Sequence, residues 1–120
     1  MSVFDAAINE INIYREYELD WDSYGAKPFS DEVIEKSILV VNKIANSFTE
    51  MQIEPDQITP GPVSDGRIDI ELLDGSNHTI FTVDSEEKTL TVCLLVGDMT
   101  HEETVKYDET DLDQWISLFV

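Results

Sequence analysis

The sequence predicts an α+β domain: two N-terminal helices, an antiparallel meander of four to five strands, and a short C-terminal helix. Three observations predict it. Apolar residues recur at intervals of three and four through positions 2–48, the interval falls to two between Arg67 and Tyr107, and the helical interval returns near the C-terminus. A chain of 120 residues and 13.7 kDa has room for one core, so residues 1–120 read as a single domain. Mass scaling puts its folded surface at roughly 6,600 Å², about a third of the unfolded value, which is enough burial to fold alone.

The first helix spans Ser2 to about Leu19, with Phe4, Ala7, Ile8, Ile11 and Tyr14 on one face and Ser2 and Asp5 placed as a capping box. A break follows over 20–29, where Gly25 permits positive φ and Pro28 steers Lys27 away from the helical region. Ser30 then caps a second helix. Asp31 and Glu32 suit its positive end, Ile34, Ile38, Val41, Ala45 and Phe48 form its stripe, and Glu32 can pair with Lys36 one turn on. Pro55, Pro60, Gly61, Pro62 and Asp65-Gly66 punctuate the passage to strands.

Segment 67–72 alternates polar and apolar residues, Asp74-Gly75-Ser76-Asn77 reads as a hairpin turn, and 78–83 returns. After a polar turn at 84–88, 89–96 alternates again. Its adjacent Leu95 and Val96 mark it as the candidate central strand. Gly97-Asp98 turns the chain into an edge-like strand over 101–107. Thr110 can cap a final helix with Asp111 and Asp113 in its first turn and Leu112, Trp115 and Phe119 inward. The strands imply one dry face, covered by helices, and one wet face.

Composition sets the functional limits. The 26 acidic residues against 7 basic ones give a net charge of −19 and a pI near 4.1. Direct binding to nucleic acid or to an anionic membrane is disfavoured, because phosphates attract a basic surface. A hydrophobic content of 42% argues against disorder. Cys93 is the only thiol, so no intramolecular disulfide is available. The longest apolar runs, 38–41 and 93–96, fall far short of the roughly 20 residues that span a bilayer. The segment Met-Ser-Val-Phe-Asp at the start has no basic signal-peptide region, so the expected location is cytoplasmic.

No enzyme class announces itself, and no cofactor is expected. His101-Glu102-Glu103 begins like a zinc-protease helix, but Val105 stands where the second histidine belongs. Cys93 sits among Val92, Leu94 and Leu95 and reads as a buried, inert thiol. Phosphate loops, G-x-S-x-G and C-x-x-C are absent. Loop 20–31 invites a calcium test. Asp20, Asp22 and Asp31 occupy the first, third and twelfth positions of an EF-hand and Gly25 the sixth, but Tyr24 and Lys27 depart from the pattern.

The segment Trp21-Asp22-Ser23-Tyr24-Gly25-Ala26-Lys27-Pro28, followed by a helix and then by Pro60 and Asp65-Gly66-Arg67-Ile68-Asp69-Ile70-Glu71, resembles a group of small bacterial and mobile-element proteins. Their recurring pattern is W-D-G-Y-G-A-x-P, a helix, a proline, and D-G-x-I-x-L-E-W. The likeness covers about residues 10 to 75; Ser23 replaces a glycine and Leu72 the tryptophan. It implies the order helix, loop, helix, sheet, and no catalytic residue. Size and charge also make the chain similar to acidic phage and plasmid inhibitors that present carboxylates in place of phosphates.

Many acids suit helix N-termini and turns. Glu16, Glu18, Asp20 and Asp22 do not, because they crowd the exit of the first helix, where its dipole disfavours each by roughly 0.3–1 kcal/mol. A second dense stretch contains Glu102, Glu103, Asp108 and Glu109. With Trp21 and Tyr24 as apolar anchors, these acids read as a docking surface for a basic protein partner, either a nucleic-acid-processing enzyme or a toxin. The alternatives are a calcium module on Asp20, Asp22 and Asp31, and a structural subunit pairing through the edge strand 101–107.

Overall fold

Ser2 and Ser30 open the two long helices in the same way. Each side-chain oxygen accepts a backbone N–H three residues on, from Asp5 and from Val33, at 3.1 Å. The computed structural model describes residues 2–75 and 77–120, with Val96 described by its backbone alone. Helix α1 is Val3–Ile13, extended by a 3-10 turn at Tyr14–Glu16, and α2 is Asp31–Glu50. The strands are β1 Gln57–Pro62, β2 Ile68–Asp74, β3 Asn77–Asp84, β4 Thr89–Val96 and β5 Met99–Lys106, and α3 is Leu112–Ile116. The expected α+β order holds: two N-terminal helices, a five-stranded antiparallel sheet in the order β1-β2-β3-β4-β5, and a short C-terminal helix.

Four details differ from the sequence reading. Helix one stops well before Leu19: the backbone becomes extended at Tyr17 (φ −72°, ψ 126°), and Asp20 at φ 67° then carries the chain into the loop. Strand β1 contains Pro60 and Pro62, two of the prolines that read as punctuation. The middle strand is β3, and β4 lies one place from the edge. The cap of α3 is Asp111, whose carboxylate accepts the N–H of Asp113 at 3.0 Å, and not Thr110. The hairpin turn assigned to 74–77 includes Ser76, which lies outside the described residues.

All three helices pack on one face of the sheet. Phe4, Ala7 and Ile11 of α1 and Val33, Ile34, Val40, Val41, Ile44 and Phe48 of α2 meet Ile68, Ile70, Leu72, Phe81, Val83, Leu90 and Val92. At roughly 1.5–3 kcal/mol per fully buried large apolar side chain, this layer is the main favourable term in folding. The other face has no element over it among the described residues.

The two edges differ. The Val63 N–H donates to the Arg67 carbonyl at 3.0 Å, in line with the β1–β2 register. Residues 59 and 61 therefore point their backbone groups at β2, while 58, 60 and 62 point theirs outward. Pro60 and Pro62 thus delete outward donors without breaking the ladder, which is how proline is tolerated on an edge.

Ser37 is fully buried on α2, and its hydroxyl has no hydrogen-bond partner among the described residues. A desolvated, unpaired hydroxyl is destabilising. Replacing it by the best helix former, in Ser37→Ala, should raise unfolding stability by about 1 kcal/mol in urea titration; a loss of stability would mean the hydroxyl has a partner in solution.

Candidate protein-docking surface

The loop between α1 and α2 is built by the residues that the sequence reading assigned to a partner. The Asp20 carboxylate accepts the Gly25 N–H at 2.5 Å, and its backbone N–H donates to the Ala26 carbonyl at 2.7 Å. One Asp22 oxygen accepts the N–H groups of Tyr24 and Ala26, at 2.8 and 3.1 Å. The Trp21 indole N–H donates to the Lys27 carbonyl at 2.7 Å, and its ring packs 5.1 Å from Tyr17 and 5.7 Å from Phe29. Ser23 at φ 66° and Gly25 at φ 84° complete the turn. Here the W-D-x-Y-G-A-x-P segment is a loop-forming device: aspartates satisfy backbone donors, tryptophan closes the ring of contacts, and Ala26 is buried.

Two expectations change as a result. Local structure does account for Asp20 and Asp22, which lie beyond the helix end and hold the loop together. Trp21 is a half-buried strut, whereas Tyr24, 91% exposed at the tip, takes no part in packing. Glu16 and Glu18 are exposed on the approach to the loop. Asp31 is engaged elsewhere, with its carboxylate 3.1 Å from Arg15. Asp20, Asp22 and Asp31 do not converge, and no group of three His, Cys, Asp or Glu side chains among the described residues can hold a metal.

The cations are concentrated at the same end of the molecule. Lys27 reaches Glu86 at 3.5 Å, Arg67 meets Asp65 at 2.8 Å, and Lys88 meets Glu32 at 3.0 Å and Asp108 at 3.9 Å. Glu32 thus pairs with Lys88, not with the expected Lys36, which instead stands 5.2 Å over the Tyr107 ring. Lys106 donates to the Glu87 carbonyl at 3.0 Å. Burial acts to raise the Asp65 carboxyl, but the Arg67 side chain and N–H prevail and hold it below the usual range. Glu32 and Asp108 raise the Lys88 ammonium. Burial, together with Glu32 and Asp108, pushes the Tyr107 phenol up to about 12.

Away from that end the acids have few cations. On the open sheet face, Glu71 of β2, Ile80 of β3, Cys93 of β4 and Glu102 of β5 form one cross-strand row. Leu73, His78 and Leu95 form the next. Leu73, Ile80, Cys93 and Leu95 are half-buried, so Cys93 is not the enclosed thiol expected. Asp69 accepts the Thr82 hydroxyl at 2.7 Å, and His78 lies 3.0 Å from Glu71. The result is a half-exposed apolar strip with carboxylates on both sides, roughly 14 Å apart across three strand spacings. Sequence alternation identifies which residues share a face, but the row depends on register, which only the structure supplies.

Glu102 faces this open side. Glu103 faces the other, beside His101 at 3.4 Å, because neighbouring strand residues point oppositely. Glu109 is exposed just past the strand. The loop cluster bonds to the β1–β2 turn through the Lys27 N–H and the Ser64 carbonyl, so it lies by the β1 edge. The second cluster lines β5, roughly 19 Å away across four spacings. The two do not form one patch.

A pocket of about 250 Å³ opens at the opposite end of the sheet, over Phe48, Leu72, Thr79 and Phe119, with Asp74 as its only titratable side chain among the described residues. No helix among the described residues is long and apolar enough to cross a membrane. No protein family, curated protein or solved structure matches the chain.

Asp22→Ala removes the acceptor of two loop N–H groups and should lower stability by about 0.5–1.5 kcal/mol, whereas Tyr24→Ala should leave the melting temperature unchanged; equal effects would refute this division of roles. The raised Tyr107 phenol sets a further expectation. The folded state holds that proton more tightly than the unfolded chain, so its contribution to stability is intact below about pH 10 and disappears as pH climbs through 12. Melting curves of Tyr107→Phe should therefore fall less steeply than those of the parent over that window.

Proposed function

We propose that the chain is a non-enzymatic protein-binding module of the inhibitor, immunity or anti-defence type, which docks on a basic, nucleic-acid-binding surface of a partner protein and presents carboxylates where that surface takes phosphates. The observation that carries this reading is the open sheet face. Asp69, Glu71 and Glu102 flank the half-buried Leu73, Ile80, Cys93 and Leu95, and no element among the described residues covers them.

The apolar strip supplies desolvated contact area, and the acids supply attraction and orientation. The acids of β5 and its exit, Glu102, Glu103, Asp108 and Glu109, extend the negative field around that edge. Glu16, Glu18 and Tyr24 add a separate exposed group at the loop. A net charge of −19 steers a cationic partner from a distance and makes the association rate fall as salt rises.

The test is capture of host proteins on the immobilised chain, followed by elution with duplex DNA. Nucleic-acid-binding proteins that DNA displaces, and that an unrelated acidic protein of equal charge does not retain, are expected. Glu71→Gln with Glu102→Gln should slow their association about tenfold at low salt with little change in the melting temperature. Retention of proteins that DNA fails to displace, or identical rates for the double variant, would overturn the reading.

A further inference from the structure

We infer that the β5 edge is a strand-addition site for an extended, lysine- or arginine-bearing segment of the partner, which joins the sheet as a sixth strand. This deepens the acidic-docking reading and rests on it for the sign of the partner's charge.

The backbone carries the first half of the argument. The Tyr107 N–H donates to the Lys88 carbonyl at 2.9 Å, in line with the β4–β5 register. Alternation then turns residues 99, 101, 103 and 105 toward β4, and leaves Thr100, Glu102, Thr104 and Lys106 with N–H and C=O groups pointing off the sheet. Strand β1 has lost such donors to Pro60 and Pro62 and packs against α1. Strand β5 contains no proline, runs eight residues and is exposed along nearly its whole length on both faces. An incoming strand thus finds a full ladder on this edge and an interrupted one on the other.

The side chains carry the second half. Glu102 and Glu103 stand at the middle of β5 on opposite faces, so adjacent basic residues on an added strand meet one carboxylate on each side of the sheet. Val105 offers an apolar neighbour, and Thr100 and Thr104 suit β-branched partners. A second copy of this chain fits less well. The two longest antiparallel registers that pair the outward groups of two β5 strands, centred on residue 102 or on residue 103, bring Glu102 against Glu102 or Glu103 against Glu103. The register centred on Thr104 matches Glu102 with Lys106, but it aligns only a short stretch and brings together two chains of −19.

The probe is a blocked hexapeptide with two central lysines flanked by valine and threonine, titrated into the isotope-labelled protein. Amides of Thr100, Glu102, Thr104 and Lys106 should become protected from exchange. Methylating the peptide nitrogens on the edge turned toward β5 should abolish binding, and methylating those on its far edge should not. Thr104→Pro, which leaves the charge unchanged and repeats on β5 what Pro60 does on β1, should weaken binding roughly tenfold with the circular dichroism spectrum unchanged. If that variant fails to fold, the methylated peptides carry the test on the unaltered protein. Equal binding of both methylated peptides overturns strand addition and leaves charge-driven docking standing. No binding of any of these peptides at low salt also overturns it, while the DNA-elution experiment separately decides the docking reading. A doubled mass in scattering, with the four amides already protected, assigns the edge to a second copy and overturns it as well.

Discussion

The side on which the helices lie is decided by where the sheet can afford to lose water. One face of the central strands is apolar apart from Thr79 of β3, with Ile68, Ile70 and Leu72 on β2, Phe81 and Val83 on β3, and Leu90 and Val92 on β4. The opposite face interleaves Ile80, Cys93 and Leu95 with Asp69, Glu71 and several threonines. A helix laid there would strip water from carboxylates that have no buried cation to meet, at a cost exceeding the gain from the apolar side chains. The apolar stripe of α2 therefore has one place to go, and α1 and α3 follow it. The open face is a consequence of this choice: acids that keep the helices away also leave the apolar strip uncovered.

The same economy of cations explains how so acidic a chain holds its turns together. At the end where the α1–α2 loop, the β1–β2 turn, the β3–β4 turn and the exit of β5 converge, Arg15, Lys27, Arg67, Lys88 and Lys106 each meet an acid or a carbonyl. These are exposed pairs, and each is worth little by itself. Their placement matters more than their strength, because four chain reversals lie side by side there and unrelieved repulsion would be greatest. What remains of the negative charge is spread over surfaces where solvent screens it, including β5 and the open face.

Much of this architecture was legible from period and punctuation. The 3.6-residue stripes of α1 and α2, the alternation of β2 to β4 and the two serine caps are local signals, and they survive in the structure. The errors came where one residue type serves two purposes. Pro60 and Pro62 read as breakers because proline lacks a donor, but an edge strand uses only alternate donors, and which ones face outward depends on pairing. Asp20 and Asp22 read as surplus charge because the exit of a helix disfavours them. Their role in accepting the N–H groups of Tyr24, Gly25 and Ala26 required the loop to be folded first, although an Asp beside Gly and Ser is a fair signal for such a turn. The row from Glu71 to Glu102 could not be read at all, since it joins strands whose register the sequence leaves unspecified.

The edges of the sheet carry this dual use furthest. An edge strand must be kept from pairing with the wrong chain, and this protein does so in two physically distinct ways. On β1 the donors of residues 60 and 62 are absent, a protection that no change of surroundings can lift. On β5 the donors are intact and the deterrent is charge, in Glu102 and Glu103. That deterrent acts against neutral and acidic strands, including other copies of this chain in the long registers, and it reverses sign for a basic one. A protection that depends on the approaching charge is also a criterion for admission. The residues that keep the edge solvated in isolation are thus the ones that select what pairs with it.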